Sequence, residues 1–410
     1  MKLDLTHRGS LAHRILALTV LIGVLLLALF LINQPFPTAV AGTGPAYLPV
    51  QFVPPPTPTP GPLPQLVEHV ALPTAMCPNS TGFNQVSGLM YIANNYSNNV
   101  SVFENRAFVT DIPTGEWPTL IASDPYSKRT WVTNLHSGTS LLEGGAQVGF
   151  VPKDYEPYGA AYNPVNGYVY VTDLGSKVQV INGSELIATI ELTDPDTGRG
   201  AGWMRPVVVD PRTGLVYAAS WEYGRLYVIK DTEFVTSVRL GWGPLNMAID
   251  TQRGLIYVAH YDPNPMYPHD ISVVDLSTLQ VTFVNSTPGE VNRARDVVVD
   301  ERAGRAYVTN PNNTSVTVLS GTDILGKLRV GEQPWGIGIN PNDGTIVVAN
   351  RGDNSVSLIR DGEVQQTLPL PGIEPLAVGV DTLRNDIYVI NRGRQTGTFT
   401  CRDASVSILH

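Results

Sequence analysis

A repeat of about 40 residues constrains this chain more than any other feature, because a recurring unit fixes the fold class before any single motif does. Each copy carries a proline followed six residues later by Asp or Asn. The complete copies are Pro78/Asn84, Pro118/Asp124, Pro157/Asn163, Pro244/Asp250, Pro334/Asn340 and Pro375/Asp381. Two further copies end at Asp210 and Asp300 and have Met204 and Ala294 in place of the proline. The repeat therefore has eight units between about residue 66 and the C-terminus.

Two more positions keep the register of the repeat. Four residues after the Asp or Asn stands a glycine, at Gly88, Gly167, Gly214, Gly254, Gly304 and Gly344, with Lys128 and Asn385 as departures. Seven residues after it stands a large strand residue, at Tyr91, Trp131, Tyr170, Tyr217, Tyr257, Tyr307, Val347 and Tyr388. The glycine is suited to a tight turn, because it adopts positive φ without a steric cost.

The segments around these positions predict four short antiparallel strands in each unit. An apolar run before the Asp or Asn indicates a buried inner strand, and the Asp or Asn side chain is expected to cap the turn that follows. The aromatic residue opens a second strand, and residues 355–359 alternate polar and apolar side chains as a third strand does. Residues 363–370 show the outer fourth strand. The pattern predicts an all-β fold, a β-propeller with four-stranded blades, eight in number with seven as the alternative.

Second strands such as residues 131–134 (WVTN), 170–173 (YVTD) and 307–310 (YVTN) resemble the YVTN family of β-propeller repeats. The resemblance covers the chain from about residue 66 to residue 410. It implies an extracytoplasmic propeller at the cell surface or in the periplasm. Members of that family often have seven blades, whereas the repeat here counts eight.

The ends of the repeat region predict how the ring closes. His410 ends the third strand of the last unit, so that unit lacks its own outer strand. Residues 66–72 have the pattern of the other outer strands and precede the first inner strand. We expect them to complete the last blade, which leaves no free sheet edge.

The chain has two cysteines, Cys77 and Cys401. Cys77 precedes the first inner strand, and Cys401 lies between the second and third strands of the last unit. Both connections are on one face of a propeller, and the first and last blades are neighbours, so a disulfide is expected in an exported chain. Two unrelated free thiols are the alternative.

The N-terminus predicts export. Residues 15–32 are almost entirely aliphatic and follow Lys2, Arg8 and Arg14, an arrangement that keeps the N-terminus in the cytoplasm. Residues 1–41 are therefore either a retained membrane anchor or a signal peptide cleaved after the Ala39-Val40-Ala41 pattern. Both alternatives place the remaining chain outside the cytoplasm, tethered to the cell membrane or secreted.

Residues 42–65 form a spacer between this segment and the repeats. Its run of prolines, from residue 54 to residue 62, favours extended polyproline II and cannot join a sheet. We interpret it as a proline-rich stalk, and residues 66–410 as the propeller domain.

The net charge of −9 argues against nucleic acid as a partner, because no basic stripe is present. No C-x-x-C-H attachment sequence for haem occurs, and we expect no cofactor. The predicted ring is expected to work as a monomer, with a protein, a peptide or a polar small molecule as its partner, and with the membrane as a further partner if the N-terminal segment is retained.

The candidate ligand site lies where the inner strands begin. Long connections gather on that face, at residues 193–202, 261–270, 285–292 and 392–404, and loops on a rigid scaffold commonly carry binding. The residues expected at the mouth of the channel are Trp117, Glu156, Tyr158, Trp203, Arg205, Arg293, Arg295, Trp335 and Glu374. The arginines are suited to a carboxylate or phosphate. Alternatively, the tryptophans pack the inner rim, and Glu156 and Glu374 neutralise the arginines.

An enzyme is the alternative to a binding scaffold. Lactonases and lyases with a propeller fold use Glu, His, Asn or Arg at the channel mouth, some with a divalent metal. Here His136, His260 and His269 fall near the loops of that face, with Asp262, Asp270 and Glu222 as oxygen ligands. Their spacing matches no metal-binding motif, and no catalytic residue is assigned. The sequence favours the binding scaffold.

Overall fold

The computed structural model describes residues 61–154, 156–261, 270–284, 293–397 and 400–410. All of them belong to one unit, Thr57–His410. The predicted signal or anchor, the stalk up to residue 60, and the loop residues His269 and Asp262 lie outside the described residues. Within the described ranges, no helix has the length and apolar character needed to cross a membrane.

The strands of the described residues form eight four-stranded antiparallel sheets. The closing strand and the strands of blades 1 to 4 are β1 (Leu66–Ala71), β2 (Pro78–Asn84), β3 (Leu89–Asn94), β4 (Asn99–Glu104), β5 (Ala107–Pro113), β6 (Pro118–Ser123), β7 (Arg129–Asn134), β8 (Gly138–Glu143), β9 (Ala146–Pro152), β10 (Pro157–Tyr162), β11 (Val169–Asp173), β12 (Lys177–Asn182), β13 (Glu185–Glu191), β14 (Met204–Val209), β15 (Leu215–Ser220), β16 (Arg225–Lys230) and β17 (Glu233–Arg239).

Blades 5 to 8 continue the same order, with a short 3₁₀ helix at Pro311–Asn313 and an additional two-stranded hairpin, β32–β33, in blade 8. Their strands are β18 (Pro244–Asp250), β19 (Leu255–His260), β20 (Ile271–Asp275), β21 (Val281–Val284), β22 (Val297–Asp300), β23 (Arg305–Asn310), β24 (Ser315–Ser320), β25 (Asp323–Arg329), β26 (Pro334–Ile339), β27 (Ile346–Asn350), β28 (Ser355–Arg360), β29 (Glu363–Pro369), β30 (Pro375–Asp381), β31 (Asp386–Asn391), β32 (Arg394–Gly397), β33 (Thr400–Arg402) and β34 (Ser405–Leu409). The predicted β-propeller is confirmed, with eight blades rather than seven.

The first strand of the chain completes the last blade, as predicted. The eighth sheet has the order β1-β34-β31-β30, and β1 runs antiparallel to β34. Leu66 pairs with Leu409 and Ala71 pairs with Ser405. Beyond the strand, Gln65 and His410 exchange two backbone hydrogen bonds of 3.0 Å. The ring is therefore closed by strands from its two ends.

The Asp or Asn of every repeat caps the turn between the first and second strands, as predicted. Asn84 Oδ1 accepts backbone hydrogen bonds from Val86 and Ser87, at 3.0 and 2.9 Å. Equivalent backbone donors reach the other seven capping residues, which are Asp124, Asn163, Asp210, Asp250, Asp300, Asn340 and Asp381. In the last blade, Asn385 takes the place of the turn glycine and adopts a φ of 61°. Asparagine tolerates this conformation better than most residues.

The core lies between adjacent blades, and the aromatic residue of the second strand connects them. Tyr91 donates its hydroxyl to the carbonyl of Gly144 in the next blade, at 2.7 Å. Trp131 Nε1 makes the same bond to Gly183, at 2.7 Å. Both rings are fully buried. The repeated aromatic position therefore fastens one blade to the outer hairpin of its neighbour.

Cys77 and Cys401 form a disulfide, with Cα atoms 5.1 Å apart. The bond joins the segment before β2 in blade 1 to strand β33 in blade 8. The predicted disulfide is confirmed, and the alternative of two free thiols is wrong.

Two faces follow from the strand order. We call the face where inner strands begin the mouth face, and the opposite face, where the first-to-second and third-to-fourth turns lie, the turn face. The connection at residues 193–202 is on the mouth face and is held by Arg225, whose Nε donates to Asp194 at 3.0 Å. Residues 262–269 and 285–292, which hold most of two other long connections, lie outside the described residues.

Candidate functional site: the mouth of the central channel

One residue of each blade, five positions before the capping Asp or Asn, lines a central cavity of about 560 Å³. We call these eight residues the channel ring. In blade order they are Asn79, Thr119, Tyr158, Arg205, Leu245, Arg295, Trp335 and Leu376. The site is thus built from residues that occupy the same position in each copy of the repeat.

A β-bulge places these side chains in the channel. In blade 3, Pro157 pairs with Asp173 and Ala160 pairs with Val171, so the inner strand has one residue more than its partner. The other regular inner strands have the same irregularity at their first residues. A bulge bends the strand and redirects its side chains. The bulge residues of eight inner strands therefore converge on one opening.

Blade 6 departs from the prediction because β22 begins at Val297, three residues after Ala294. Arg295 donates its backbone N–H to the carbonyl of Thr309, and Thr309 donates to the carbonyl of Asp296, both at 3.0 Å. Two consecutive residues therefore face one residue of the second strand. Both the Arg295 and the Asp296 side chains line the cavity.

The charged and aromatic members of the channel ring lie on one side of it. Blades 3, 4, 6 and 7 contribute Tyr158, Arg205, Arg295 and Trp335, with Leu245 of blade 5 between the two arginines. The remaining wall carries Leu376, Asn79 and Thr119. We call the five channel-ring residues of blades 3 to 7, from Tyr158 to Trp335, the arginine arc.

Arg205 is held by aromatic rings. Its guanidinium carbon lies 5.3, 5.8 and 5.1 Å from the ring centroids of Tyr158, Trp203 and Trp221. Its Nε atom is buried and has no hydrogen-bond partner among the described residues. Cation–π contacts involve the ring faces and leave the in-plane N–H groups unpaired.

Arg295 lies on the opposite side of Leu245 and stacks on Trp335. Its guanidinium carbon is 3.5 Å from the Trp335 centroid, and that of Arg351 is 4.7 Å from the same ring. Burial lowers the pKa of Arg295 to about 10, which still leaves it charged at neutral pH. Among the described residues, its guanidinium has no hydrogen-bond or ion-pair partner.

Asp296 supplies the negative charge of the cavity and is well bonded. It accepts backbone hydrogen bonds from Val297 at 2.9 Å and Ile337 at 3.2 Å, and a third from the Asn246 amide. Burial raises its pKa to about 6, against the opposing effect of these donors and of Arg295. The carboxylate thereby connects blades 5, 6 and 7.

Of the nine residues predicted at the mouth, the cavity is lined by Trp117, Tyr158, Arg205, Arg295 and Trp335. Trp117 precedes a strand proline with a φ of 59° and lies 4.5 Å from the ring of His136. Arg293 stacks over Tyr261 at 5.3 Å, and its Nε is buried without a partner among the described residues.

The other three predicted residues lie on the rim around the cavity. Trp203 is 45% exposed and stacks on Trp221 at 5.6 Å. Glu374 pairs with Arg351 at 2.8 Å. Glu156 lies 3.9 Å from His136 Nδ1. Within the described residues, neither glutamate therefore neutralises Arg205, Arg293 or Arg295.

The prediction from sequence missed Asp296, Trp221, Arg351 and the apolar members of the channel ring. Leu245 and Leu376 could have been found, because they share the offset of Arg205 and Trp335 from the capping residue. Trp221 and Arg351 directly follow second strands, eleven residues after the capping residue, and this is also the offset of the cavity-lining Asn95 and Leu135.

His260 has a structural role. It occupies the place at the end of the second strand where other blades have Asn94, Asn134, Asn310, Asn350 and Asn391. Those asparagines donate to a Ser or Thr of the third strand, and His260 Nε2 bonds the corresponding Ser272 Oγ at 2.8 Å, as the acceptor when the ring is neutral and Nδ1 carries the proton. Its Nδ1 bonds the Trp242 carbonyl at 2.9 Å. The ring is 1% exposed.

The remaining groups named for the enzyme alternative are separated. Glu222 lies beside Gly202 at the rim of blade 4. Asp270 is buried next to His260. Its backbone carbonyl accepts a hydrogen bond of 2.9 Å from the backbone N–H of His260. Across the described part of the chain, no three His, Cys, Asp or Glu side chains are placed to hold a metal ion.

No family model matches the sequence, and no curated protein matches it. Among solved structures, the WD40 β-propeller domain of Doa1 matches with a TM-score of 0.52 and 11% identity, over 85% of this chain and 97% of that chain. The Kuenenia stuttgartiensis hydrazine synthase matches with a TM-score of 0.53 and 12% identity, over 78% of this chain and 94% of that chain. At such identities the likeness concerns the fold alone, and it agrees with the strand order in making this chain a β-propeller.

Proposed function

We propose that this chain is an extracytoplasmic binding module whose ligand binds in the channel at the mouth face. The observation that carries the proposal is the arginine arc. Arg205 and Arg295 point their charge into a cavity of about 560 Å³ and have no counter-charge in contact among the described residues. Cavities of this size, with a few converging polar groups, are typical of small-molecule sites.

The energetics of the arc support a ligand. Removing a guanidinium from water without pairing its donors costs free energy, as the lowered pKa of Arg295 indicates. A fold that needed these positions only for packing would be more stable with apolar residues there, as at Leu245 and Leu376 of the same ring. The retained charges are accounted for by a ligand that pairs with them.

The described chain enters the ring at the turn face. Arg360 binds the carbonyl oxygens of Gly61 and Pro62, at 2.6 and 3.5 Å, and also Asp343 at 3.0 Å. Asp343 lies in a first-to-second turn, so the chain joins the ring at the turn face. From there β1 runs to the mouth face.

An extracytoplasmic location is supported by the disulfide and by the aliphatic run at residues 15–32. The test is a fusion of the full chain, after His410, to a phosphatase reporter that is active only outside the cytoplasm. We expect activity with residues 1–41 present and none when they are deleted. Equal activity of the two fusions would contradict this location.

The binding site is tested with the segment 57–410, which contains all strands of the ring including its closing strand. A probe panel of glucose, trialanine, 1-octanol and octanoate is screened by saturation-transfer NMR. We expect at least one probe to bind the wild-type segment and not to bind the Tyr158→Ala variant. Tyr126→Ala is the control, because Tyr126 is 62% exposed in a turn on the turn face. Binding that is insensitive to Tyr158→Ala, or no binding at all, would overturn the proposal.

A further inference from the structure

We infer that the ligand of the channel is an organic anion with an apolar body, whose oxyanion is held between Arg205 and Arg295. The inference rests on the proposed function and names the chemical class of its ligand. Three features of the cavity carry it: the unpaired charges, the way the guanidinium groups are held, and the apolar wall that faces them.

The arginines of the channel lack the ion pair that several other arginines of the ring form. Arg106, Arg225, Arg351, Arg360 and Arg384 each form an ion pair with an Asp or Glu, at 2.7 to 3.0 Å. Arg205, Arg293 and Arg295 have no carboxylate within ion-pair distance among the described residues. In a chain with a net charge of −9, acidic side chains are not scarce. The missing counter-charge in the channel therefore indicates an anion from outside the ring.

Aromatic stacking fixes these guanidinium groups and leaves their donors available. The guanidinium carbons of Arg205 and Arg295 lie over the rings of Tyr158, Trp221 and Trp335. The N–H donors lie in the plane of the guanidinium, so stacking does not satisfy them. Tyr158 is close to both arginines, since it contacts Arg205 and contributes to the electrostatics of Arg295. Planar, fixed donors of this kind suit bidentate binding of a carboxylate or phosphate.

Asp296 reduces the positive charge of the arc and does not neutralise it. Its carboxylate oxygens accept the three hydrogen bonds from Asn246, Val297 and Ile337. With Arg205 and Arg295 charged and Asp296 ionised, the charged groups that line the cavity carry a net positive charge. The cavity therefore disfavours a cation.

The wall away from the arginines has apolar stretches beside the polar Asn79 and Thr119. Leu376, Ala377 and Val378 of blade 8 and Leu120 and Ile121 of blade 2 form these stretches. An inorganic ion would leave this wall in contact with water only. A ligand with one charged end and a hydrocarbon body would bury the wall at about 25 cal/mol for each Å² of apolar surface removed from water.

The experiment compares octanoate, octyl phosphate and 1-octanol, which share a body and differ in the head group. Binding to the segment 57–410 is measured by isothermal titration calorimetry at low salt. We expect octanoate or octyl phosphate to bind about tenfold or more tightly than 1-octanol, since charge-assisted hydrogen bonds form only with the anions. The anion that binds more tightly indicates whether the head group of the ligand is a carboxylate or a phosphate.

Variants locate the anion. Arg205→Gln and Arg295→Gln are each expected to weaken binding of the preferred anion about tenfold or more and to leave 1-octanol unchanged. Arg129→Gln is the matched control, because Arg129 is exposed on the turn side of β7 and carries the same charge. Both channel variants remove an uncompensated charge, so we expect their thermal midpoints to stay at or above that of the wild type.

The outcomes separate the inference from the proposed function. If 1-octanol binds as tightly as the anions and loses binding in Tyr158→Ala, the channel is a ligand site and the anion inference is overturned. If a neutral probe of the panel binds there and neither anion does, the inference is likewise overturned. If no probe depends on the channel residues, the proposed function falls together with the inference.

Discussion

The hydroxyl of Tyr388 in blade 8 accepts a hydrogen bond of 3.1 Å from the backbone N–H of Arg106 in blade 1. Tyr388 is the eighth copy of the repeat's aromatic position, and in the earlier blades this residue contacts the outer hairpin of the following blade. Here the following blade is the first one. The Arg106 side chain adds an ion pair with Asp386 at 2.7 Å. The contact that joins neighbouring blades therefore also joins the two ends of the ring.

We expect Tyr388→Phe to lower the free energy of unfolding by about 1 kcal/mol, because it removes one partner of a hydrogen bond at a buried ring. Urea unfolding followed by tryptophan fluorescence measures the change. Tyr126→Phe, at an exposed site, should stay within about 0.5 kcal/mol of the wild type. A loss equal to that of the control would mean that the Tyr388 hydroxyl contributes nothing to closure.

The disulfide between Cys77 and Cys401 is expected to contribute about 2 to 5 kcal/mol, since it closes a loop with a sequence separation of 324 residues. The measurement is the urea midpoint of the double variant Cys77→Ser, Cys401→Ser. Reduced wild-type protein is the control and should unfold at the same midpoint as the variant. Equal stability of the oxidised and reduced wild type would contradict the expected role.

Asp173→Asn is expected to stabilise the fold above neutral pH. Asp173 is buried at the place of the repeat's asparagine, and burial raises its pKa to about 6 although Gly175 and Lys177 donate backbone hydrogen bonds to it. A raised carboxyl pKa means that the folded state disfavours the ionised form. The penalty is complete above pH 6 and absent below about pH 4, where the unfolded chain also holds the proton.

The gain from Asp173→Asn should therefore be about 1 to 3 kcal/mol at pH 8 and should vanish near pH 4. Urea unfolding at the two pH values tests this. Asp323→Asn, at an exposed position of β25, is the control and should show no such dependence on pH. A gain that is independent of pH would assign the effect to packing rather than to ionisation.

His260 is expected to tolerate the residue that other blades have in its place. His260→Asn keeps a polar side chain for Ser272 Oγ, whereas His260→Ala removes the hydrogen bonds that His260 makes to this buried hydroxyl and to the Trp242 carbonyl. We expect the alanine variant to be about 1 to 3 kcal/mol less stable than the asparagine variant. Thermal unfolding measures the difference, and equal stability of the two variants would contradict the structural role of His260.

The sequence predicted the fold at the level of strand order. The capping positions, the turn glycines and the aromatic positions each act within one blade or between consecutive blades, so a fixed spacing in the chain is enough to read them. Tyr91 and Trp131 show this, because each bonds the hairpin of the next unit along the chain. The pairing of β1 with β34 and of Cys77 with Cys401 could be predicted because a ring makes the first and last units neighbours.

The candidate site was predicted only in part. Trp117, Tyr158, Arg205, Arg295 and Trp335 line the cavity, as expected from their place beside the strand entries. That Glu374 pairs with Arg351, while Arg205 rests on Trp221, depends on side chains from different blades and different loops. Spacing along the chain contains no information on such contacts.

By itself the sequence determined the eight units, the strands within them, the closing strand and the disulfide. The reason is that the residues that form hydrogen bonds and the residues that are buried recur at the same positions of each unit. The tertiary structure decided which charges remain unpaired. Arg205 and Arg295 are two blades apart, and Leu245 stands between them in the ring. Their convergence on one cavity follows from the bulges that turn eight equivalent residues inward, and the free energy of that arrangement depends on neighbours across the channel.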